Sequence, residues 1–156
     1  RGNNLHQMIE DYLNNKEINL LTYSPTVSSL FVQMKPELDK IDNIYALEKP
    51  LWSDTMALAG RVDCVAEYDG KLSIIDFKGS TREKREQDIE NYYLQGTAYA
   101  IMWHERTGVP IDEFNVIVGS ENGNPCQVFS GKPIKYVSKL YSTIQKYHGP
   151  LTYTPS

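Results

Sequence analysis

The first part of the chain carries two stripes of apolar residues at helical spacing. The stripe within residues 2 to about 16 consists of Leu5, Met8, Ile9, Tyr12 and Leu13. The second stripe consists of Val27, Leu30, Phe31 and Met34. Apolar residues three and four positions apart share one face of a helix, so each stripe predicts an amphipathic helix. We expect Pro36 to end or kink the second helix, because proline lacks the N–H that the helical ladder needs.

Residues 43–78 change to the alternating pattern that is typical of β-strands. One strand is predicted near residues 44–51, followed by a turn at 53–54. Two more strands then meet at Asp69-Gly70, a dipeptide that favours a tight hairpin.

The rest of the chain predicts a long helix, two short strands and a last helix. The long helix covers roughly residues 83–106 and closes at Gly108 and Pro110. The strands cover residues 114–119 and 127–129, with turn-forming residues between them. We expect Pro133 to open a final helix that extends to about Tyr147. This order predicts an α/β protein in which helices flank a mixed central β-sheet, as one domain over residues 1–156.

The hairpin places two acidic residues opposite each other. In a two-residue loop Tyr68 faces Lys71, and each further pair moves one residue back along the first strand and one forward along the second. Asp63 then faces Asp76, with their Cβ atoms roughly 5 Å apart. Lys78 follows on the same face as Asp76. A three-residue loop with a bulge would shift this register by one, so the pairing depends on the turn.

Two facing carboxylates need a positive charge between them to offset their repulsion. At an effective dielectric constant of 20, two such charges repel by roughly 3 kcal/mol, and like charges across a strand pair are normally avoided. Lys78 supplies part of the compensation, and converging oxygen ligands suit Mg²⁺ or Mn²⁺. The alternative is that Asp63 and Asp76 are ordinary solvent-facing residues. Against it, aspartate is a poor strand former and both acids interrupt apolar runs.

Composition and charge narrow the function classes. The net charge of −4 argues against coating nucleic acid through bulk electrostatics, so any DNA contact must be local. Two cysteines, Cys64 and Cys126, are too few for a cysteine-ligated iron–sulfur cluster or zinc site. No apolar run approaches membrane-spanning length. The chain begins at Arg1 instead of a methionine, so we expect it to be a fragment that lacks an N-terminal segment.

Several motifs occur in the order found in one nuclease superfamily. Gly60-x-x-Asp63, followed after thirteen residues by Asp76-Phe77-Lys78, resembles the PD-(D/E)XK signature in the branch named for the RecB nuclease domain. Gly2-x-x-x-His6 and Gln95-x-x-x-Tyr99 resemble two outlying motifs of that branch. Residues 46–48, 63–68 and 70–72 are similar to the mitochondrial genome maintenance exonucleases and their phage and bacterial relatives. The resemblance implies a restriction-endonuclease-like core.

The resemblance also implies roles for individual residues. Asp63, Asp76 and the backbone carbonyl of Phe77 would ligate Mg²⁺ or Mn²⁺, and His6 would be a further ligand or would hold a metal-bound water. His6 borders the buried stripe of its helix, although a plain surface histidine is the alternative. Lys78 would orient the attacking water and stabilise the transition state.

Glu48, Gln95 and Tyr99 also belong to this resemblance. Glu48 contacts the metal, supports its ligands or faces solvent, and the sequence does not choose among these. Gln95 and Tyr99 lie four residues apart on one helix face that can reach the site. Tyr99 also suits a core position.

A polar and basic run follows the lysine and suggests DNA contacts. Ser80, Arg82, Lys84 and Arg85 lie close enough to meet phosphates beside the cut. Cations at the start of a helix oppose its dipole, which favours a phosphate partner over a simple solvated face. Relatives often carry threonine after the lysine, where this chain has Gly79, so no side-chain contact to DNA is expected there.

The resemblance implies an exonuclease acting on single-stranded DNA from free ends or flaps. It implies an intracellular protein, in a bacterial cytoplasm or encoded by a phage, or mitochondrial in a eukaryote. The alternatives are a RecB-like nuclease that processes duplex ends and an inactive DNA-binding module. A third alternative is a structural domain with an accidental acid pair.

Overall fold

The computed structural model describes residues 2–80, 86–123, 125–146 and 151–153. Its α-helices are α1 (Gly2–Leu13), α2 (Pro25–Leu38), α3 (Glu86–Thr107) and α4 (Val137–Gln145), with 3-10 helices at Leu20–Thr22 and Pro133–Lys135. Its strands are β1 (Ile41–Ser53), β2 (Leu58–Tyr68), β3 (Lys71–Ser80), β4 (Phe114–Ser120), β5 (Gln127–Gly131) and β6 (Leu151–Tyr153). Within these residues, no helix is both long and apolar enough to cross a bilayer.

The strands form one mixed sheet, as the sequence predicts. Its order is β1-β2-β3-β4-β5, and β6 pairs with β2. The contacts of β3 with β4 and of β2 with β6 are parallel, and the other pairs are antiparallel. The long helix α3 provides the crossover between the parallel strands β3 and β4, which is the usual connection for such a pair.

Helices cover both faces of this sheet. On one face α3 and α4 pack against an apolar cluster that includes Val65, Ile74 and Phe114. On the other face α1 and α2 pack against Cys64, Ile75 and Ile117. Burial of two separate apolar faces explains why the central strands read as nearly continuous hydrophobic runs.

The hairpin between β2 and β3 has the predicted register. Asp69 and Gly70 have φ values of +52° and +86°, as a two-residue primed turn requires. Pairing starts at Tyr68 with Lys71 and continues to Cys64 with Ile75. Asp63 and Asp76 occupy the next positions in that register, just beyond the last paired residues.

The two strands separate at the acids. Beyond Cys64, the same edge of β2 pairs with β6, through residues Leu58 to Gly60. β3 meanwhile stays paired with β4 as far as Ser80. Asp63 and Asp76 therefore lie where a sheet opens, which gives their side chains room to meet other groups.

The ribbon of β1 and β2 also changes face at this point. Glu48 lies opposite Asp63, between the pairs Leu47–Cys64 and Lys49–Val62. Val62 and Val65 belong to the same apolar cluster although they are three positions, an odd number, apart in the strand. Regular strands place such residues on opposite sides. Glu48 has a φ of +49°, so the left-handed residue coincides with the change of face.

Several predicted boundaries were wrong. Pro36 does not end α2, which continues to Leu38, because the missing N–H removes one hydrogen bond of the helix and leaves the others in place. The alternative, a kink at Pro36, stays a prediction. Pro133 opens a short 3-10 helix, and the α-helix starts only at Val137. β6 was not predicted, since three residues carry too little pattern to identify a strand.

Candidate active site

Asp63 and Asp76 are buried side chains at the opening between β2 and β3. Their relative exposures are 1% and 5%. Asp63 Oδ2 accepts a hydrogen bond of 2.8 Å from the backbone N–H of Phe77. Asp63 Oδ1 and Asp76 Oδ1 are buried and find no hydrogen-bond donor among the residues that the structure describes. Buried oxygens without a donor are expensive unless another positive group completes the site.

The pKa of Asp63 also indicates that a positive group completes the site. Burial raises the pKa of Asp63 well above its ordinary value, and the nearby charge of Asp76 raises it further. The N–H of Phe77 acts in the opposite direction but is outweighed. A nearby cation is therefore needed to lower this pKa and favour the ionised carboxylate of Asp63 at neutral pH.

His6 reaches this point from α1, on the other side of β3. Its Nε2 lies 2.7 Å from the carbonyl oxygen of Phe77. A carbonyl only accepts hydrogen bonds, so Nε2 carries the hydrogen. In the neutral ring Nδ1 is then a lone-pair donor, and it lies 3.8 Å from Asp63 Oδ1 and 4.0 Å from Glu48 Oε2. This is the tautomer in which Nδ1 can bind a metal.

Glu48 joins His6 and Asp63. One ligand atom from each of these three residues lies within 4.8 Å of the other two. Burial raises the pKa of Glu48, while His6 and Arg61 partly offset that effect. Two carboxylates and an imidazole with unsatisfied buried oxygens fit a divalent cation. Of the three roles left open for Glu48, this placement favours a metal contact.

The predicted ligands do not all share one position. The carbonyl of Phe77 is engaged by His6 Nε2, and Asp76 lies outside the three-residue cluster, against Lys78. A metal held by His6, Glu48 and Asp63 would thus sit next to Asp76, whose carboxyl group neighbours that of Asp63.

Lys78 is buried and held from several sides. Its Nζ lies 3.0 Å from Asp76 Oδ2, an ion-pair contact, and 3.3 Å from Gln95 Oε1. The ammonium also lies 5.2 Å from the centroid of the Tyr92 ring. Sequence reasoning missed Tyr92, although it precedes Gln95 by three residues and so shares its helix face.

Tyr99 lies in the core beneath the acids. Its side chain is 1% exposed, and its hydroxyl makes no well-formed hydrogen bond with described residues. Burial raises the pKa of Tyr99, and Asp76 and Asp63 raise it further. Tyr99 is therefore a core residue that also lies close to the acid pair, and a role in the site stays a prediction.

The predicted DNA contacts are only partly within the described residues. Ser80 ends β3, and its carbonyl accepts a hydrogen bond from Glu121 N–H. Arg82, Lys84 and Arg85 lie outside the described residues. Gly79 is exposed, but a Cβ there would lie 3.0 Å from Leu5 and 3.3 Å from Leu30. A side chain at position 79 would therefore point towards these two helix residues.

Comparison with known proteins identifies the family. A model of the PD-(D/E)XK nuclease superfamily matches residues 2–125, a range that contains His6, Glu48, both aspartates and the lysine. The chain belongs to the PD-(D/E)XK nuclease superfamily. Nucleases of this superfamily use divalent metals, in agreement with the chemistry of the donor set found here.

Two relatives in this nuclease superfamily carry the name mitochondrial genome maintenance exonuclease 1. The mouse protein is 30% identical over 131 residues, which are 80% of this chain and 38% of the relative. The human protein is 31% identical over 103 residues, which are 64% of this chain and 29% of the relative. The chain thus spans well under half the length of these relatives.

The nuclease fold is also found in a solved structure. The crystal structure of a candidate exonuclease from Eubacterium rectale matches 92% of this chain and 63% of its own, with a TM-score of 0.57 and 8% sequence identity. At that identity the likeness shows the fold alone. It confirms the restriction-endonuclease-like α/β core.

Proposed function

We propose that the protein is a metal-dependent exonuclease that hydrolyses single-stranded DNA from free ends, with Mg²⁺ or Mn²⁺ as cofactor. The observation that carries this proposal is the buried group of Asp63, Asp76 and Lys78 at the opening of the sheet. A buried acid pair beside one lysine has little structural use, since replacing buried charges by apolar residues is often neutral or stabilising.

The metal would be held by Asp63, Glu48 and Nδ1 of His6, with Asp76 next to it. Bound there, a divalent ion supplies Lewis-acid chemistry, lowering the pKa of a water and offsetting charge on the scissile phosphate. Phe77 fixes Asp63 through its N–H and fixes His6 through its carbonyl. One backbone peptide segment therefore orients two ligands.

Lys78 would act on the substrate side of the site. Asp76 Oδ2 and Gln95 Oε1 hold its ammonium group in place, so little reorganisation is needed when charge develops on the phosphate. The lysine would orient the attacking water and stabilise the transition state. Gln95 would keep the lysine from pairing only with Asp76.

The names of the two mammalian relatives support exonuclease activity on DNA and a mitochondrial location if the source is eukaryotic. We extend this to single strands on the resemblance of residues 46–48, 63–68 and 70–72 to these exonucleases. We assign no iron–sulfur cluster, since the sequence has two cysteines, Cys64 and Cys126, and a cysteine-ligated cluster takes four.

The test uses DNA labelled at either end, as linear single strands, circular single strands and duplexes. Each is incubated with Mg²⁺, Mn²⁺ or EDTA and with wild type, Lys78→Ala or Lys71→Ala. Lys71 is a matched control, because it is an exposed lysine of the same strand. We expect metal-dependent shortening of linear single strands by wild type and Lys71→Ala, and none by Lys78→Ala.

Other outcomes have defined meanings. Cleavage of circles would show an endonuclease, and faster shortening of duplexes would show a RecB-like duplex-end nuclease. Binding without cleavage under every metal condition would show a binding module. Wild-type rates in Lys78→Ala, with the fold checked by circular dichroism, would refute the mechanism.

A further inference from the structure

One exposed face of the β1–β2 ribbon lies next to the candidate metal site. Beyond the change of face at Glu48, Leu51 points into the core, whereas Trp52 on the opposite side is 47% exposed. Trp52 pairs with Ala59, and Pro50 pairs with Arg61. These four exposed residues share one face by strand alternation, and we call this face the ribbon platform.

The platform combines an aromatic ring with exposed cationic side chains. Trp52 and Arg61 are diagonal neighbours across the strand pair, a separation of about 7 Å that long side chains can span. Ala59 and Pro50 are small, so neither large side chain is covered by its own partner. The side chain of Arg61 is 60% exposed. Arg106 lies over one side of the indole, with its Cζ 4.5 Å from the ring centroid.

The platform is continuous with the site described above. Arg61 Nη1 lies 4.0 Å from Glu48 Oε1, and Glu48 contacts His6 and Asp63. Trp52 lies four positions beyond Glu48 in the strand, which is a distance of about 13 Å. A strand bound at the acids therefore reaches Trp52 within a few nucleotides.

We propose that the ribbon platform binds the part of a single-stranded DNA that flanks the scissile phosphate, with a base stacked on Trp52 and a phosphate paired with Arg61. This rests on the proposed function and adds a basis for strand preference. Exposed aromatic rings stack on unpaired bases of any sequence, and arginine pairs with phosphates of any sequence. Bases in a duplex are already stacked and cannot reach the ring. The platform therefore selects single strands without selecting sequence.

The charges of this face suit that occupant. Arg61 and Arg106 flank the ring, whereas the acidic Asp54, which is 86% exposed, lies 3.9 Å from Arg106 at the far end. Both arginine ion-pair contacts are long, at 3.9 Å for Arg106 and 4.0 Å for Arg61, and such exposed contacts are weak enough to be exchanged for a phosphate. Because the overall net charge is −4, attraction of an anionic strand depends on local cations such as these two arginines.

Equilibrium binding in EDTA, which prevents metal-dependent cleavage, tests the proposal. Fluorescence anisotropy is measured for labelled single strands and duplexes with wild type, Trp52→Ala, Trp52→Phe and Tyr45→Ala. Tyr45 is the matched control, because it is a 61% exposed aromatic residue of β1 on the other side of Glu48. We expect Trp52→Ala to weaken single-strand binding roughly five- to hundred-fold and to leave duplex binding unchanged. Trp52→Phe should keep most of the affinity, and Tyr45→Ala should keep all of it.

Two further readouts separate stacking from a general structural effect. Single strands should quench tryptophan fluorescence in wild type but not in Trp52→Phe, where buried Trp103 is the only tryptophan left. Arg61→Gln should reduce the slope of log affinity against log salt by about 0.7, with Lys71→Gln as the control of equal charge change.

Equal single-strand affinity in wild type and Trp52→Ala would overturn the proposal. So would an equal loss in Tyr45→Ala, or a change of oligomeric mass in Trp52→Ala without a change in DNA affinity. The last result would make the face a protein interface. Failure of the proposed function is distinguished by the cleavage assay with metal, because wild type would then cleave no single strand at all.

Discussion

His6 and Phe77 join helix α1 to strand β3 through a single hydrogen bond. His6 Nε2 lies 2.7 Å from the carbonyl oxygen of Phe77, although the two residues are 71 positions apart in the chain. The bond fixes the tautomer of the ring and directs Nδ1 to the acids. The imidazole of His6 is thereby held against the side of β3 that is opposite to the side chains of Asp76 and Lys78.

Replacing His6 should therefore weaken metal binding more than it weakens the fold. We expect His6→Ala to lower the affinity for Mn²⁺ by about 10- to 100-fold, the range found when groups around a metal are removed. The lost hydrogen bond should reduce the free energy of unfolding by only about 1 kcal/mol. Isothermal titration calorimetry measures the first effect and urea unfolding the second. His104→Ala, at an exposed histidine of α3, is the control.

The buried carboxyl of Asp63 predicts a pH dependence for the metal-free protein. Its folded-state pKa is raised by burial and by Asp76, so folding favours the protonated form. The resulting stability is fully present below the ordinary aspartate pKa of about 3.9 and is lost as the pH rises through the raised value. In EDTA we expect Asp63→Asn to become more stable than wild type as the pH rises towards neutrality.

Thermal unfolding with and without Mn²⁺ checks this prediction. Mn²⁺ should raise the melting temperature of wild type near neutral pH and should have little effect on Asp63→Asn. Stabilisation of both proteins by the metal would show that Asp63 is not a ligand. If the substitution changed stability alone, the acid pair would have only a structural role.

Tyr92 should help to position Lys78. The ammonium lies 5.2 Å from the ring centroid, and such contacts contribute about 0.5–2 kcal/mol. We expect Tyr92→Leu to lower kcat several-fold to about 30-fold with little change in KM, and Tyr92→Phe to retain most activity, because it keeps the ring. Equal losses in both variants would assign the effect to the hydroxyl group and not to the ring.

Gly79 provides a test of the packing beneath the site. A Cβ at this position would lie 3.0 Å from Leu5 Cδ2 and 3.3 Å from Leu30 Cδ1. Overpacking of this kind costs about 1–3 kcal/mol, so Gly79→Ala should be destabilised by that amount in urea unfolding. Adding Leu5→Ala makes space at the contact. The double variant should then be destabilised by less than the sum of the two single variants, and simple additivity would contradict the packing argument.

The sequence predicts the hairpin well and the cluster around the metal less well. Asp69-Gly70 sets the turn locally, and the register that brings Asp63 near Asp76 follows from it by counting. The pairing of His6 with Phe77 depends on how α1 packs against a distant strand, which no local pattern encodes. The family resemblance pointed to His6, but it did not reveal that Phe77's carbonyl is engaged by that ring.

Glu48 shows a second limit of local reasoning. Nothing in the run from Ala46 to Leu51 signals a left-handed residue, because glycine or asparagine would be expected there. The alternation of a regular strand does not show which groups the Glu48 side chain meets, and the sequence therefore left three roles open. The observed φ of +49° results from tertiary contacts that outweigh the backbone preference.

That left-handed conformation leads to the last prediction, in which stability and function change in opposite directions. A non-glycine residue at positive φ costs about 1 kcal/mol or more, and burial of the Glu48 carboxylate, which raises its pKa, adds to the cost without a metal. Glu48→Gly removes both penalties. Without metal we expect this variant to be at least as stable as wild type.

With metal the order should reverse, because Glu48 is one of three ligands within 4.8 Å of one another. Glu48→Gly should bind Mn²⁺ more weakly and lose most cleavage activity. Glu48→Gln separates the two effects, since it keeps the backbone strain and removes only the charge. It should lose activity and gain only the part of the metal-free stability that comes from the buried charge, so it should remain less stable than Glu48→Gly. Full activity in Glu48→Gly would place Glu48 outside the metal site, and its strain would then require another explanation.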